Sequence, residues 1–325
     1  MRRSPSWIPL AAVAVLALAG CDGDSSSRPG DDITDDVQVP GFVLAADGAS
    51  LSPDGDRIAV PCHDRVCVWG VGGSLEEEWD GAADLTAWSP DGAWLATASA
   101  STGEVVWRDT TTGEPAATAT VDGIVQALTF GPDGDALAVA TDAGLTLHDG
   151  LNGVEVAEAS AGGVADVAFS PDGLQVLVAR AEAPPELLES GMLAPADDAA
   201  DLGPAPVTDV AWDAGGTRAA LGGADGVRVV EVATGGEVDV LDQPEVTDVA
   251  FDPAGSRLAV TTAAAPELVL WAPGSDPEVE DQHSAAFGSV LWTTGGLYTI
   301  APDVVLSWNL ETGDVGFTFD LPPEA

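Results

Sequence analysis

Short apolar bursts recur along this chain, separated by turn-forming residues. Arg57-Ile58-Ala59-Val60, Ala136-Leu137-Ala138-Val139 and Arg257-Leu258-Ala259-Val260 are three of them. Period-two alternation sends successive side chains to opposite faces, so each burst predicts a half-buried strand. A turn word precedes each strand. Its full copies are Leu51-Ser52-Pro53-Asp54-Gly55, Trp88-Ser89-Pro90-Asp91-Gly92, Phe130-Gly131-Pro132-Asp133-Gly134 and Phe169-Ser170-Pro171-Asp172-Gly173. Trp212-Asp213-Ala214-Gly215-Gly216, Phe251-Asp252-Pro253-Ala254-Gly255 and Trp292-Thr293-Thr294-Gly295-Gly296 are degenerate copies. Proline presets φ for the first turn position, and glycine accepts φ > 0 further on.

The turn glycines Gly55, Gly92, Gly134, Gly173, Gly216, Gly255 and Gly296 are spaced by 37, 42, 39, 43, 39 and 41 residues. Each unit has a third strand: Val66-Cys67-Val68-Trp69, Val105 to Asp109, Leu145 to Asp149, Val227 to Glu231, Leu268 to Trp271 or Val305 to Asn309. A turn such as Thr112-Gly113-Glu114 or Thr312-Gly313-Asp314 then leads into a polar outer strand. Four strands in a period of about 40 residues predict an all-β fold, a seven-bladed β-propeller of four-stranded antiparallel blades. The aromatic before each turn belongs on an inner strand, packed between neighbouring blades. Blade four is the least regular. Its third strand, near Leu187-Leu188, is flanked by Pro184-Pro185 and an acidic segment, which predicts a loose outer strand or loop.

With these words in place, the chain from about residue 45 to 325 resembles the WD40 repeat family in seven copies. The resemblance implies a seven-bladed toroid. The family's buried network uses a His before the inner strand, an Asp in the turn between the second and third strands, and a Trp on the third. No His precedes an inner strand here. Asp64, Asp142 and Asp225 stand in turn positions, Trp69, Trp107, Trp271 and Trp308 in the Trp position, and His148 in its place in blade three. The repeats are degenerate and about as close to the TolB-type bacterial propellers. Each copy has its own outer strand, the last from Val315 to Leu321. Val37 to Leu44 is therefore a spare strand, paired beside the last blade or part of the tether.

The N-terminus has another composition. Arg2 and Arg3 precede an apolar run from Ile8 to Leu18, which is shorter than the roughly 20 residues a bilayer span needs. It suits a secretory signal. Leu18-Ala19-Gly20-Cys21 follows and resembles a bacterial lipobox, which implies removal of residues 1–20 and acylation of Cys21. Residues 21–40 are acidic and poor in apolar side chains, and read as a flexible tether; residues 41–325 are the propeller. The expected location is extracytoplasmic, on the cell membrane or outer membrane.

Charge narrows the partners. The chain holds 54 Asp plus Glu against 10 Arg and no Lys, a net charge of −44. Phosphate binding needs Lys and Arg, so nucleic acid is set aside. The carboxylates are scattered, as expected of a solubilising surface, and no metal site is assigned. With Asp64-Arg65 as the turn centre, Cys62 and Cys67 face each other, which predicts a disulfide in an exported protein. A metal or redox pair that includes His63 is the rival reading. Glu76-Glu77-Glu78 on an outer strand reads as edge protection.

Catalytic signals are sparse. His63, His148 and His283 lie in different blades. No nucleophile elbow, phosphate loop, zinc helix motif or dinucleotide fingerprint occurs. The expectation is a non-catalytic, lipid-anchored, monomeric propeller, a protein-interaction scaffold or envelope assembly module for an unknown protein partner, without cofactor. The alternative is an exported propeller enzyme, lactonase-like or quinoprotein-like, whose channel site would draw Arg57, Arg218, Arg228 or His63 together.

Overall fold

The computed structural model describes residues 48–62, 64–159, 162–263, 267–282, 288–301, 304–310 and 315–320. Its strands form seven four-stranded antiparallel sheets, each built from four consecutive strands, with no α-helix among the described residues. Blade one runs Ser50–Leu51, Arg57–Cys62, Arg65–Gly70 and Ser74–Asp80 from the inside outward. The inner strands of the following blades are Leu85–Trp88, Val125–Phe130, Asp166–Phe169, Asp209–Trp212, Val246–Phe251 and Ser289–Thr293. The seven-bladed propeller expected from the repeat is the architecture observed.

The second strands correct one expectation. They are buried on both faces: Ile58, Ala59 and Val60 are each 0% exposed. The alternation is between large and small apolar residues. Ile58 and Val60 pack towards blade seven, while Ala59 packs towards blade two. Leu137 and Val139 face blade two, with Ala138 facing blade four. Leu258 and Val260 face blade five, with Ala259 facing blade seven. At the second strands every sheet lies between two others, so neither face there meets water, and large residues opposite small ones let adjacent sheets interdigitate.

The turn word is a hydrogen-bonded unit. In blade one Ser52 Oγ donates to Asp54 Oδ1 at 2.6 Å and accepts from the Arg57 N–H at 2.9 Å. Ser89 with Asp91, and Ser170 with Asp172, repeat the first bond at 2.6 Å. These serine hydroxyls hold the carboxyls of Asp54, Asp91 and Asp172 below the ordinary carboxylate value. Blades five and six move the carboxylate to the serine position. Asp213 accepts the N–H groups of Thr217 and Arg218, and Asp252 those of Ser256 and Arg257. The sequence drift thus preserves the turn. Gly55, Gly92, Gly134, Gly173, Gly216 and Gly255 have φ between 64° and 77°, where a Cβ is strained. Gly296 departs from them: it has φ 157° and already pairs with Thr293 as the first residue of its strand.

Blade four is irregular where expected. Its third strand is Glu186–Glu189 and its outer strand only Ala194–Pro195. The chain then leaves the sheet and lies on blade five, with Leu202 and Val207 buried against Val230 and Val232. Arg228 holds it by donating to the carbonyls of Leu202 and Pro204 at 3.3 and 3.0 Å.

Cys62 and Cys67 form a disulfide, with Cα atoms 5.9 Å apart, but not as a facing pair. Cys67 is opposite Val60, and Cys62 is opposite Arg65. The turn lies between Cys62 and Arg65, one residue earlier than expected, which makes the cysteines diagonal neighbours on one face of the sheet, within bonding reach. The bridge is buried with Ile58, Val60 and Trp69 against Tyr298, Ile300 and Val305 of blade seven. The ring closes here by packing between blades, since each sheet keeps its own four strands. Val37 to Leu44 and Cys21 lie outside the described residues.

Candidate functional site

The inner strands of all seven blades surround a central channel of about 600 Å³. Its wall is uneven. Three residues before the strand-end aromatic, blades two and three carry Leu85 and Ala127, whereas blades four, five and six carry Asp166, Asp209 and Asp248. Blade seven carries Ser289 there. Sequence inspection missed this row. Its signal was Asp-Val-Ala followed by Phe or Trp in three successive copies, ending at Phe169, Trp212 and Phe251.

Each carboxylate reaches the next blade. Asp166 Oδ2 accepts the N–H of Val210 at 3.0 Å, Asp209 Oδ2 that of Val249 at 2.8 Å, and Asp248 Oδ2 that of Val290 at 2.8 Å. Inner strands of neighbouring blades share no ladder, so these bonds satisfy N–H groups that backbone pairing leaves open. The carboxyls of Asp209 and Asp166 are near enough for each to act on the other. Burial pushes the Asp166 carboxyl up to about 6, against the opposing effect of the Val210 N–H. Burial and the neighbouring charges of Asp248 and Asp166 hold Asp209 well above the ordinary carboxylate value. Two interacting acidic groups in the channel wall titrate as a pair rather than singly.

The arginines lie elsewhere. Arg57 stacks on Trp88 of blade two at 4.8 Å, and Arg257 on Trp292 of blade seven at 5.3 Å. Arg218 pairs with Asp213 at 3.1 Å, donates to the carbonyl of Gly255 and lies over Phe251. Arg228 is committed to the segment crossing blade five. These contacts tie blades together and do not converge on the channel. The aromatic strand ends pack between blades, as expected.

His148 fills the third-strand Trp position. It is buried, lies 5.7 Å from the Trp107 ring, and bonds Gly153 O and Thr146 Oγ1, each at 3.1 Å. Of the four tryptophans at that position, Trp308 donates to Thr299 Oγ1 at 2.9 Å and Trp271 to Ser275 O at 3.2 Å. Among the described residues, Trp107 Nε1 has no partner. Asp142 accepts the N–H of Ile124 at 2.7 Å, bracing the connector into blade three. Asp64 is on the surface, 3.7 Å from Arg65. The outer strand bearing Glu76, Glu77 and Glu78 is exposed, and Glu78 lies 3.4 Å from Arg65. His63 and His283 lie outside the described residues. Among the described residues, no three His, Cys, Asp or Glu are placed to hold a metal ion, and no helix is long and apolar enough to cross a membrane.

No family model and no curated protein matches the sequence. Solved structures match the fold. The β-propeller domain of Cps50 (Swd1) from Myceliophteria thermophila aligns with TM-score 0.68 at 15% identity, covering 89% of this chain and 100% of that one. A chain of the mitotic checkpoint complex aligns with TM-score 0.70 at 18% identity, covering 89% and 96%. At these identities the likeness shows the WD40-like seven-bladed β-propeller fold.

Proposed function

We propose that the chain is a non-catalytic platform, held outside the cytoplasm by lipid on Cys21, on which a protein partner with a basic surface assembles. One observation carries the reading. Every arginine among the described residues, from Arg57 to Arg257, engages a carboxylate, a carbonyl or an aromatic ring of its own chain. Little positive charge is left to offset the acidic loops, so complementary charge favours a basic partner. A rigid ring displaying variable loops suits docking, and a chain of the mitotic checkpoint complex shares the fold.

The test is capture of the acylated protein from its native membrane at low and high salt. A protein retained at low salt and shed at high salt supports the reading; no protein above background refutes it. Substituting Cys21→Ala should release the chain from the membrane fraction, and retention would overturn the anchor. A second reading, an exported propeller hydrolase working in the channel, draws on the Asp166–Asp209 pair. Turnover of lactone or ester probes that is lost in Asp209→Asn would favour it; no turnover, or turnover unchanged by that substitution, would remove it.

A further inference from the structure

The outer strands differ in how they guard their free edges. Those of blades one, three, five and six carry acidic residues: Glu76, Glu77, Glu78 and Asp80; Glu155 and Glu158; Glu237 and Asp239; Glu278, Glu280 and Asp281. The outer strand of blade seven ends in Asp320. The outer strand of blade four is only Ala194–Pro195. Blade two is the exception. Its outer strand, Pro115–Thr120, is six residues long and reads Pro-Ala-Ala-Thr-Ala-Thr, with no charge. Charges on an edge discourage pairing with another chain, and this edge has none.

The edge is also open. Ala116, Thr118 and Thr120 are exposed. The N–H of Val121 bonds Gly103 O at 2.9 Å, on the side of the third strand, Glu104–Asp109. Ala119 and Ala117 stand opposite Val105 and Trp107 in the same phase. Antiparallel alternation therefore turns the N–H and C=O groups of Thr118 and Thr120 outward. Acidic residues bracket the strand: Glu114 before it, Asp122 just beyond it, and Glu104 opposite Thr120, all exposed.

We propose that Pro115–Thr120 is a docking edge that takes an extended partner segment as a fifth strand of blade two. The segment is uncharged and β-prone along its middle and carries Lys or Arg at its ends. Main-chain bonds to Thr118 and Thr120 supply the pairing, and Glu104, Glu114 and Asp122 attract the basic ends. A second copy of this chain is the poorer occupant, because two surfaces of net charge −44 repel each other. The proposal rests on the platform reading and assigns it a surface.

The probe is the peptide Lys-Thr-Val-Thr-Val-Thr-Lys, capped at both ends, added to the full chain. Amide exchange at Thr118 and Thr120 should slow about tenfold or more on binding, with the other outer strands unchanged. Thr118→Pro removes an outward N–H without breaking a ladder bond, a position where an edge strand tolerates proline, and should weaken binding about tenfold or more. Should that variant fail to fold, the unmodified protein still decides. Probes N-methylated on one or the other alternate set of amides should differ about tenfold or more in affinity, because only one set faces the edge. Equal binding of both methylated probes, undiminished binding to folded Thr118→Pro, or slowed exchange elsewhere would overturn the proposal. Self-association abolished by Thr118→Pro would overturn the choice of occupant. Membrane capture that survives Thr118→Pro leaves the platform standing without this edge, whereas capture that fails for the unaltered chain refutes the platform whatever the peptide does.

Discussion

Between blades five and six, Asp209 accepts the N–H of Val249 at 2.8 Å, Arg218 donates to the Gly255 carbonyl, and the same guanidinium covers Phe251. Between blades seven and one, Tyr298, Ile300 and Val305 meet Ile58, Val60, Trp69 and the Cys62–Cys67 bridge. One repeat thus produces two kinds of joint. The first adds directional bonds from a carboxylate row to its apolar packing; the second is an apolar cluster with a covalent brace on one side. A hydrogen bond fixes register and responds to pH, whereas an apolar joint depends on close packing and responds to lost volume.

The largest expected effect is at the seam. Ile300 is wholly buried, and Ile300→Ala should cost about 2–5 kcal/mol in a denaturant titration. Amide exchange should rise first in blades one and seven; a uniform rise would mean that the seam is no weaker than the other joints. Asp209→Ala breaks the row at its centre and leaves the Val249 N–H unpaired, at about 1–3 kcal/mol. Asp209→Asn keeps an acceptor and should cost less, so equal losses would show that the clasp contributes nothing. Replacing Cys62 and Cys67 with Ala opens a loop with a sequence separation of 5, a loss of about 2 kcal/mol in the chain-entropy view. Its exchange signature should match that of Ile300→Ala.

The pH response sharpens the comparison further. Asp166 holds its proton up to about 6 in the ring, against an ordinary value of 3.8 in the unfolded chain. Below 3.8 both states are protonated; above it the unfolded chain releases the proton first. The folded state then binds more protons, so stability falls as pH rises from 3.8 through about 6, by on the order of 1 kcal/mol per pH unit. Asp209, raised by burial and by its acidic neighbours Asp248 and Asp166, adds a loss of the same sign. The turn carboxylates Asp54, Asp91 and Asp172 act oppositely, favouring the fold above the ordinary value and losing that contribution as pH falls below it. Thermal melts across pH should therefore show a maximum near 3.8, and Asp209→Asn should flatten the limb above it. The smallest effect is Arg257→Ala, which removes the stack on Trp292 for about 0.5–1 kcal/mol, detectable as a small shift of the melt.

Local chemistry made the turns legible. Pro, Asp and Gly act within five residues, and the serine-to-aspartate exchange at Asp213 and Asp252 follows the same local rule. The channel row was not legible in the same way. Asp166, Asp209 and Asp248 are visible as repeat-equivalent letters, but their partners Val210, Val249 and Val290 belong to the following blades. The cysteine register was off by one turn residue, because a hairpin of small loop length can close at either place until the strands are paired. The alternation Ile58-Ala59-Val60 marked a strand correctly and its environment incorrectly, since large–small and buried–exposed patterns look alike in one dimension.

The sequence by itself determined the number of blades, the turn in each, the aromatic strand ends, the irregularity of blade four and the acidic balance of the whole. These follow from contacts between near neighbours in the chain, repeated at a fixed period. Only the tertiary structure decided which face of each strand meets which blade, how the first and last blades meet, that three carboxylates line one side of the channel, and that one outer edge stands open and uncharged. Those features depend on residues one blade or a whole ring apart, which sequence spacing alone does not bring together.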